Sequence, residues 1–471
     1  MNETVSEESE RWAWLDARSL GLFRVLLGLT LLLDLFSRFP HLRAFYTDRG
    51  VLPRALASEA GLLSEWLCLH LGTGEAVGQA TLLGLQGLFA LGLTVGWHTR
   101  WMTLGCWLLL NSLHVRNPFV NDRGDVELSL LLFWSFFLPL SERWSLDAAT
   151  RRSSGRVDNK GITAAAFVLQ IAQIYLWSGF LKQGEFWLGR GDGLYYSLQS
   201  PLFATKLSLW ISSWPQPLLK LGNYAVITAE IFVGFLLLAP RRTPLLRGFA
   251  VLLLIVFHVA VALLFQLGLF PIIAVVATVA LWPSAFWEFA PLRHLGEMLD
   301  RRLGATSSPG CGTPNGVKCL LATSIFLAAL SSAANDFEGE RFNRGSALIT
   351  LTKSLRLEQH WDLFSPIPPY LGYFKIRTAS DRELVWSCPR QEGVAESNEF
   401  PSHRWRMLMI ASLYEQFAVV RGGLLEELRP EGVAGELIYQ FQVRLVKHSG
   451  ELGPDTVWTL SRQRNGVPRN S

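Results

Sequence analysis

Three ionisable side chains lie in or beside the apolar runs in the second half of this 471-residue chain's membrane-like region: Lys182, Glu230 and His258. Lys182 follows an apolar stretch, Ile162 to Leu181, long enough to cross a bilayer. Gln170, Gln173, Trp177 and Lys182 recur at roughly helical spacing, so one face of that helix carries the polar groups. An amine at such a position is half-desolvated, which disfavours its ammonium form, and a neutral amine at a membrane surface acts as a base. The plainer alternative is a lysine that snorkels to the interface. Glu230 and His258 also read in two ways, as a mutually hydrogen-bonded structural pair or, with Lys182, as the lining of a polar cavity. GxSxG, HExxH and P-loop motifs are absent, so hydrolase, zinc-protease and NTPase chemistry has no support. The five cysteines form no CxxC pair and no zinc-spaced cluster with histidine, so neither a metal nor a disulfide framework is expected.

The elements that must position these groups are membrane helices. Half the residues are hydrophobic, with 18 Trp and 29 Phe, and several long runs carry no charge. The net charge of +4 comes from basic residues scattered through loops, which does not point to nucleic acid. The first 17 residues read as a polar tail and not as a cleavable signal peptide. Residues 18–335 read as a transmembrane domain. Nine spans are expected, near 20–36, 77–95, 101–113, 128–140, 162–181, 225–238, 249–265, 271–282 and 317–334. From residue 336 to 471 charges become frequent and apolar runs short, which predicts a small extramembrane α+β domain. Within it, Tyr373–Arg377, Glu383–Trp386 and Tyr439–Leu445 read as strands and Arg404–Val420 as a helix. The fold class is therefore an all-α polytopic membrane protein with a small C-terminal α+β domain. Arg and Lys collect in the loops after spans two, four, six and eight, among them Arg151, Arg152, Arg241 and Arg242. The positive-inside bias then predicts a cytoplasmic N-terminus, with Lys182 and the C-terminal domain on the outer face of a bacterial inner membrane.

Seven stretches, in order, resemble the HTTM superfamily, the horizontally transferred transmembrane domain shared with vitamin K-dependent γ-carboxylases. They are FRVLLGLTLLLDL with Arg24, Gly28 and Asp34; LRAFYTDRGVLPR; RNPFVNDRGDVELSLLLFWSFFLPL; RWSLDA; YLWSGFLKQGEFW; FHVAVALLFQLGLFP; and QHWDLFSPIPP. The resemblance implies that Lys182 is a catalytic base acting on vitamin K hydroquinone or another quinol. It implies that His258 is a second catalytic residue, and that Trp177, Trp187 and Glu230 border the cofactor. Oxygen and carbon dioxide would be the co-substrates and a glutamate-bearing peptide the acceptor. The chain departs from the carboxylases at Val261 and Leu263, where they carry Asn and Gln, near Gly124 and Asp125, where they carry a histidine, and in its shorter C-terminal region. A non-enzymatic HTTM protein that assists peptide export or maturation, similar to the sporulation-delaying B proteins, is the second reading.

Overall fold

The computed structural model describes residues 15–59, 68–150, 162–238, 244–303, 357, 359–361, 364, 370–380, 382–389, 400–429, 435–446 and 452–463. The helical body contains α1 (Ala17–Arg38), α2 (Ala76–Val95), α3 (Thr99–Arg116), α4 (Arg123–Ser135), α5 (Ile162–Leu181), α6 (Gln216–Leu237), α7 (Pro244–Leu264) and α8 (Phe270–Val279). Among the described residues, five segments are long and apolar enough to cross a membrane: Ala17–Tyr46, Ala76–Val95, Thr163–Leu181, Gln216–Leu237 and Leu245–Leu264. Their outer faces show large apolar side chains at helical spacing. On α7 these are Leu245, Phe249, Leu252, Val256, Val259 and Leu263, all exposed. Such a stripe suits lipid contact and would be a liability in water.

Three more of the nine expected spans are shorter or less apolar helices. The 13 residues of α4 extend about 20 Å and the 10 of α8 about 15 Å, well short of a hydrocarbon core about 30 Å thick. Eleven residues of α4 are buried, so it has almost no outward face. It packs on α3 and α8, and α8 packs on α1 and α7. A helix apolar all round is a core helix when neighbours enclose it, and its sequence alone resembles a span. The third, α3, has span length at 18 residues but carries Arg100, His114 and Arg116. The expected ninth span, 317–334, lies outside the described residues.

Local chemistry sets the helix ends. Asp16 caps α1 through the backbone N–H of Arg18. Asp122 and Asp125 form a reciprocal capping box at the start of α4. Asp147, from the RWSLDA stretch, accepts from the N–H groups of His98 and Thr99 and so caps α3 from a short helix distant in sequence, Leu146–Thr150. Arg24 is fully buried and donates to the Trp144 carbonyl, so it faces protein and not headgroups. Between α1 and α2, Leu42–Tyr46 and Arg54–Glu59 are short helices.

The C-terminal unit is an antiparallel four-stranded sheet of order β2-β1-β3-β4, with β1 Tyr370–Thr378, β2 Leu384–Cys388, β3 Leu437–Val446 and β4 Leu452–Gln463. The first three are the expected strands. The helix expected over Arg404–Val420 is broken into α9 (His403–Ala411), a 3-10 turn at Glu415–Phe417, and α10 (Val420–Glu427). Sheet and helices share one apolar core with the helical body, joining Phe374, Tyr439, Trp405 and Leu424 to Phe45, Val51 and Val120.

A buried charge quartet ties this unit to the helix ends. Arg38 donates to Asp34 at 2.8 Å and to Tyr46 at 2.7 Å, and also bonds Asp125. Arg404 donates to Asp34 at 2.7 Å and to Asp125 at 2.8 Å, and to the Val120 carbonyl at 2.9 Å. Burial disfavours the Arg404 charge, but Asp125 and Asp34 outweigh it and hold the guanidinium above its ordinary range. Arg404→Ala is expected to destabilise the protein by about 3–5 kcal/mol, because two buried carboxylates keep a single cation. Unfolding in detergent measures this. Arg404→Lys should recover only part, since an ammonium lacks the planar fork.

Candidate functional site

The two helices that carry the lysine and the glutamate pack closely. A Cβ on Gly179 of α5 would lie 2.5 Å from Ile231, and one on Gly234 of α6 would lie 2.6 Å from Leu176. Glycine at these two positions lets the α5 and α6 backbones approach, as small residues do between membrane helices. This close approach brings Lys182, one residue past the end of α5, onto Glu230 of α6. The ammonium donates to the two carboxylate oxygens at 2.7 and 2.9 Å. Ser178 bridges the pair, accepting from Lys182 at 2.9 Å and donating to Glu230 at 3.0 Å. Lys182 is only 4% exposed and Glu230 6%. Lys182 therefore does not snorkel, and the partner of Glu230 is Lys182 and not His258.

His258 of α7 instead bonds the Tyr175 hydroxyl at 2.9 Å through Nε2. Its Nδ1 is buried with no hydrogen-bond partner. The Trp187 ring lies 5.5 Å from Nζ of Lys182 on a π-helical turn, Glu185–Gly189. Asn223 of α6 pins this turn by donating to the Trp187 carbonyl at 2.8 Å. The Trp187 indole donates to the Phe364 carbonyl at 2.9 Å.

These groups line one cavity of about 150 Å³. Lys182, Glu230, His258 and Trp187 all border it, with Tyr175, Ser178 and Glu127. The rest of the wall is mostly apolar and includes Val261, Phe265 and Phe270. Trp177 does not line it. That ring lies against Phe180 and the main core, so of the expected cofactor neighbours only Trp187 and Glu230 reach the cavity. Leu263, the other apolar departure, is exposed on the outside of α7, away from the cavity.

The QHWDLFSPIPP stretch closes the cavity on one side through Trp361 and Phe364. Gln359 anchors it inside the helical body, accepting from Gln170 at 2.7 Å, Gln173 at 3.2 Å and the Trp361 indole at 3.0 Å. The polar face of α5 thus serves two purposes, with its glutamines holding this closure and its C-terminal end holding the ion pair. Phe364 takes a left-handed backbone (φ 57°), unusual for a bulky residue. Its ring packs on Phe203 and Phe265.

Glu127 and Tyr175 are among the cavity residues that escaped the sequence reading. Glu127 sits inside RGDVELSLLLF, an acid just before an apolar run, and a carboxylate in that setting is the signal that marks it. Tyr175 shows no signal beyond its place one turn before Gly179. A wider cavity of about 400 Å³ adjoins the first and shares Arg123, Phe270 and Phe364 with it. It lies where α4 meets the C-terminal unit, beside the His403–Asp122 pair.

Removing one member of a buried ion pair strands the other, whereas replacing both with apolar groups often costs little. Lys182→Met and Glu230→Leu are each expected to destabilise by about 3–5 kcal/mol, and the double variant by clearly less than their sum. A double-mutant cycle of unfolding in detergent measures the coupling.

The family model of the HTTM domain matches residues 12–287, more than half of the chain. No curated protein and no solved structure matches it. The matched region contains α1 to α8 and, with them, Lys182, Glu230 and His258. The chain belongs to the HTTM domain family.

Proposed function

We propose that this HTTM protein is a membrane enzyme of the vitamin K-dependent γ-carboxylase type, whose cavity takes the ring of a quinol and removes a proton from it. The carrying observation is that Lys182, Glu230 and His258 meet in a single apolar cavity between membrane helices. The donor set fits a quinol. An apolar cavity of about 150 Å³ holds a benzene ring, and this one offers the buried, unpartnered atoms Nδ1 of His258 and Oε2 of Glu127 to hydroxyl groups. Trp187 supplies an aromatic wall next to Lys182.

A bound quinol supplies an ionisable hydroxyl and, with oxygen, the oxidising power for epoxide formation. The residues of the chain handle the proton. Lys182 Nζ and the Glu230 carboxylate are in direct hydrogen-bond contact, so a proton passed to Glu230 frees the lone pair of Nζ. Glu230 thereby makes Lys182 a base inside a low-dielectric site, and Ser178 keeps the two aligned. His258, oriented by Tyr175, holds the ring through its other nitrogen. Trp361 and Phe364 exclude water. The wider adjoining cavity is the place for a second substrate, a peptide glutamate, to approach. In this reading the C-terminal unit lies on the outer face of the inner membrane, and α3, α4 and α8 complete the membrane domain together with a ninth helix.

Val261 on the cavity wall, where the carboxylases have a polar residue, favours a second reading: an accessory HTTM protein that assists peptide export or maturation without catalysis. The deciding assay gives purified protein vitamin K hydroquinone and labelled bicarbonate, and follows both epoxide and fixed carbon. Epoxide is expected from the wild type, falling about 10²–10⁴-fold in Lys182→Ala, the usual contribution of a general base. Label in an added glutamate peptide would extend the activity to carboxylation. No epoxide from well-folded wild type overturns the enzyme reading in favour of the accessory one.

A further inference from the structure

Beyond α8 the chain forms one more helix, Ala290–Leu303. Leu292, Leu295, Leu299 and Leu303 recur at helical spacing on one side of it, and Arg293, Glu297 and Arg301 on another. Polar contacts hold it against one end of the helical body. Asp300 accepts from Arg143 at 2.6 Å and from the Trp144 indole at 2.9 Å. Gly296 is buried beside Trp287, whose indole donates to Ser19 of α1 at 2.8 Å. These contacts cover only one edge of the apolar side. Leu292 and Leu299 are half-buried, whereas Leu295 and Met298 are exposed, as is Phe289 just before the helix. The lipid-facing stripe of α7 adjoins this surface: Phe286 lies against Gly248, while Leu245 and Phe249 stay exposed. The charges are also unevenly answered. Glu288 pairs with Arg18, which it shares with Asp16, Glu297 pairs with Arg301, and Asp300 with Arg143. Arg293 and Arg302 are exposed and, among the described residues, enter no ion pair. Arg302 follows Met298 by four positions and Leu295 by seven, so it stands on the uncovered apolar edge.

We propose that Ala290–Leu303 is a membrane-surface helix that recognises anionic phospholipid headgroups. Leu295 and Met298 enter the acyl boundary beside α7, and Arg293 and Arg302 donate to headgroup phosphates. A helix of low overall hydrophobicity, apolar on one face and arginine-bearing on the other, has the composition of one that lies in the plane of a bilayer surface. The stem of Arg302 covers apolar surface while its guanidinium reaches out to the phosphate. A zwitterionic headgroup answers its phosphate with its own cation, so two surplus arginines favour lipids that carry a net negative charge. The lipid contact does not depend on what the cavity binds, and it stands or falls apart from the quinol reading.

The test is amide hydrogen exchange over residues 290–303, read by mass spectrometry on the full chain in lipid nanodiscs. One set of discs is phosphatidylcholine alone, and the other is phosphatidylcholine mixed with phosphatidylglycerol. Exchange in wild type is expected to be about tenfold slower in the mixed discs, and the difference should shrink at high salt. Replacing both arginines, Arg293→Gln with Arg302→Gln, should erase the difference and leave the rate in phosphatidylcholine alone unchanged. Leu295→Ser with Met298→Ser should speed exchange in both kinds of disc. Unchanged exchange in α5 and α6 shows that each variant is folded. Equal exchange of wild type in the two discs overturns the recognition of anionic lipid. A difference that persists in the arginine variant overturns the assignment to Arg293 and Arg302. Serine variants that exchange like wild type overturn the lipid contact and leave a helix held by protein alone.

Discussion

Arg38 and Arg404 lie inside the protein with Asp34 and Asp125, two cations against two anions in a space closed to water. A buried charge without its opposite would cost more than any local packing gains. The architecture follows from that constraint. The end of α1, the start of α4 and the start of α9 must meet at one point, because each contributes charge to it. Once they meet, α4 is enclosed among its neighbours and the sheet rests against the helical body. The C-terminal unit is therefore part of one structure with the membrane helices and not a tethered appendage.

The same constraint acts at the functional site on a smaller scale. Lys182 and Glu230 neutralise one another, so the pair itself brings no net charge to the cavity. The two sites differ in what they leave over. The quartet uses Tyr46 and the Val120 carbonyl to complete its bonding. The cavity keeps atoms of Glu127 and His258 without partners. Stability alone favours filling such valences, and a site that leaves them open faces something it does not itself contain.

Much of this was legible in the chain because charge is rare in its apolar runs. Lys182, Glu230 and His258 stood out against their surroundings, and they do line one cavity. Their pairing was not legible. Glu230 and His258 were the natural couple by proximity in sequence, yet Lys182 reaches Glu230 across 48 positions and His258 takes Tyr175. That choice depends on how closely α5 and α6 approach, which glycines decide. Trp177 misled because helical spacing names a face without naming its neighbours. The short helices α4 and α8 look like spans because a core helix and a lipid-facing helix share a composition, and only enclosure separates them. In the C-terminal unit, strands with clean alternation were read correctly. β4 begins LGPDT, which masks its pattern. The apolar spacing over Arg404–Val420 ran through a break in the helix after Ala411.

The reach of Arg404 has a consequence for biosynthesis. Its partner Asp34 precedes it by 370 positions, and Asp125 by 279. A ribosome adding about 5–20 residues per second needs roughly 20–75 s to span the longer interval. Through that time the nascent helical body holds two carboxylates against the single cation of Arg38. Its helix ends must remain hydrated, or be shielded by the insertion machinery, until the last third of the chain arrives. Final closure of this protein thus waits until late in its synthesis, timed by the appearance of one arginine.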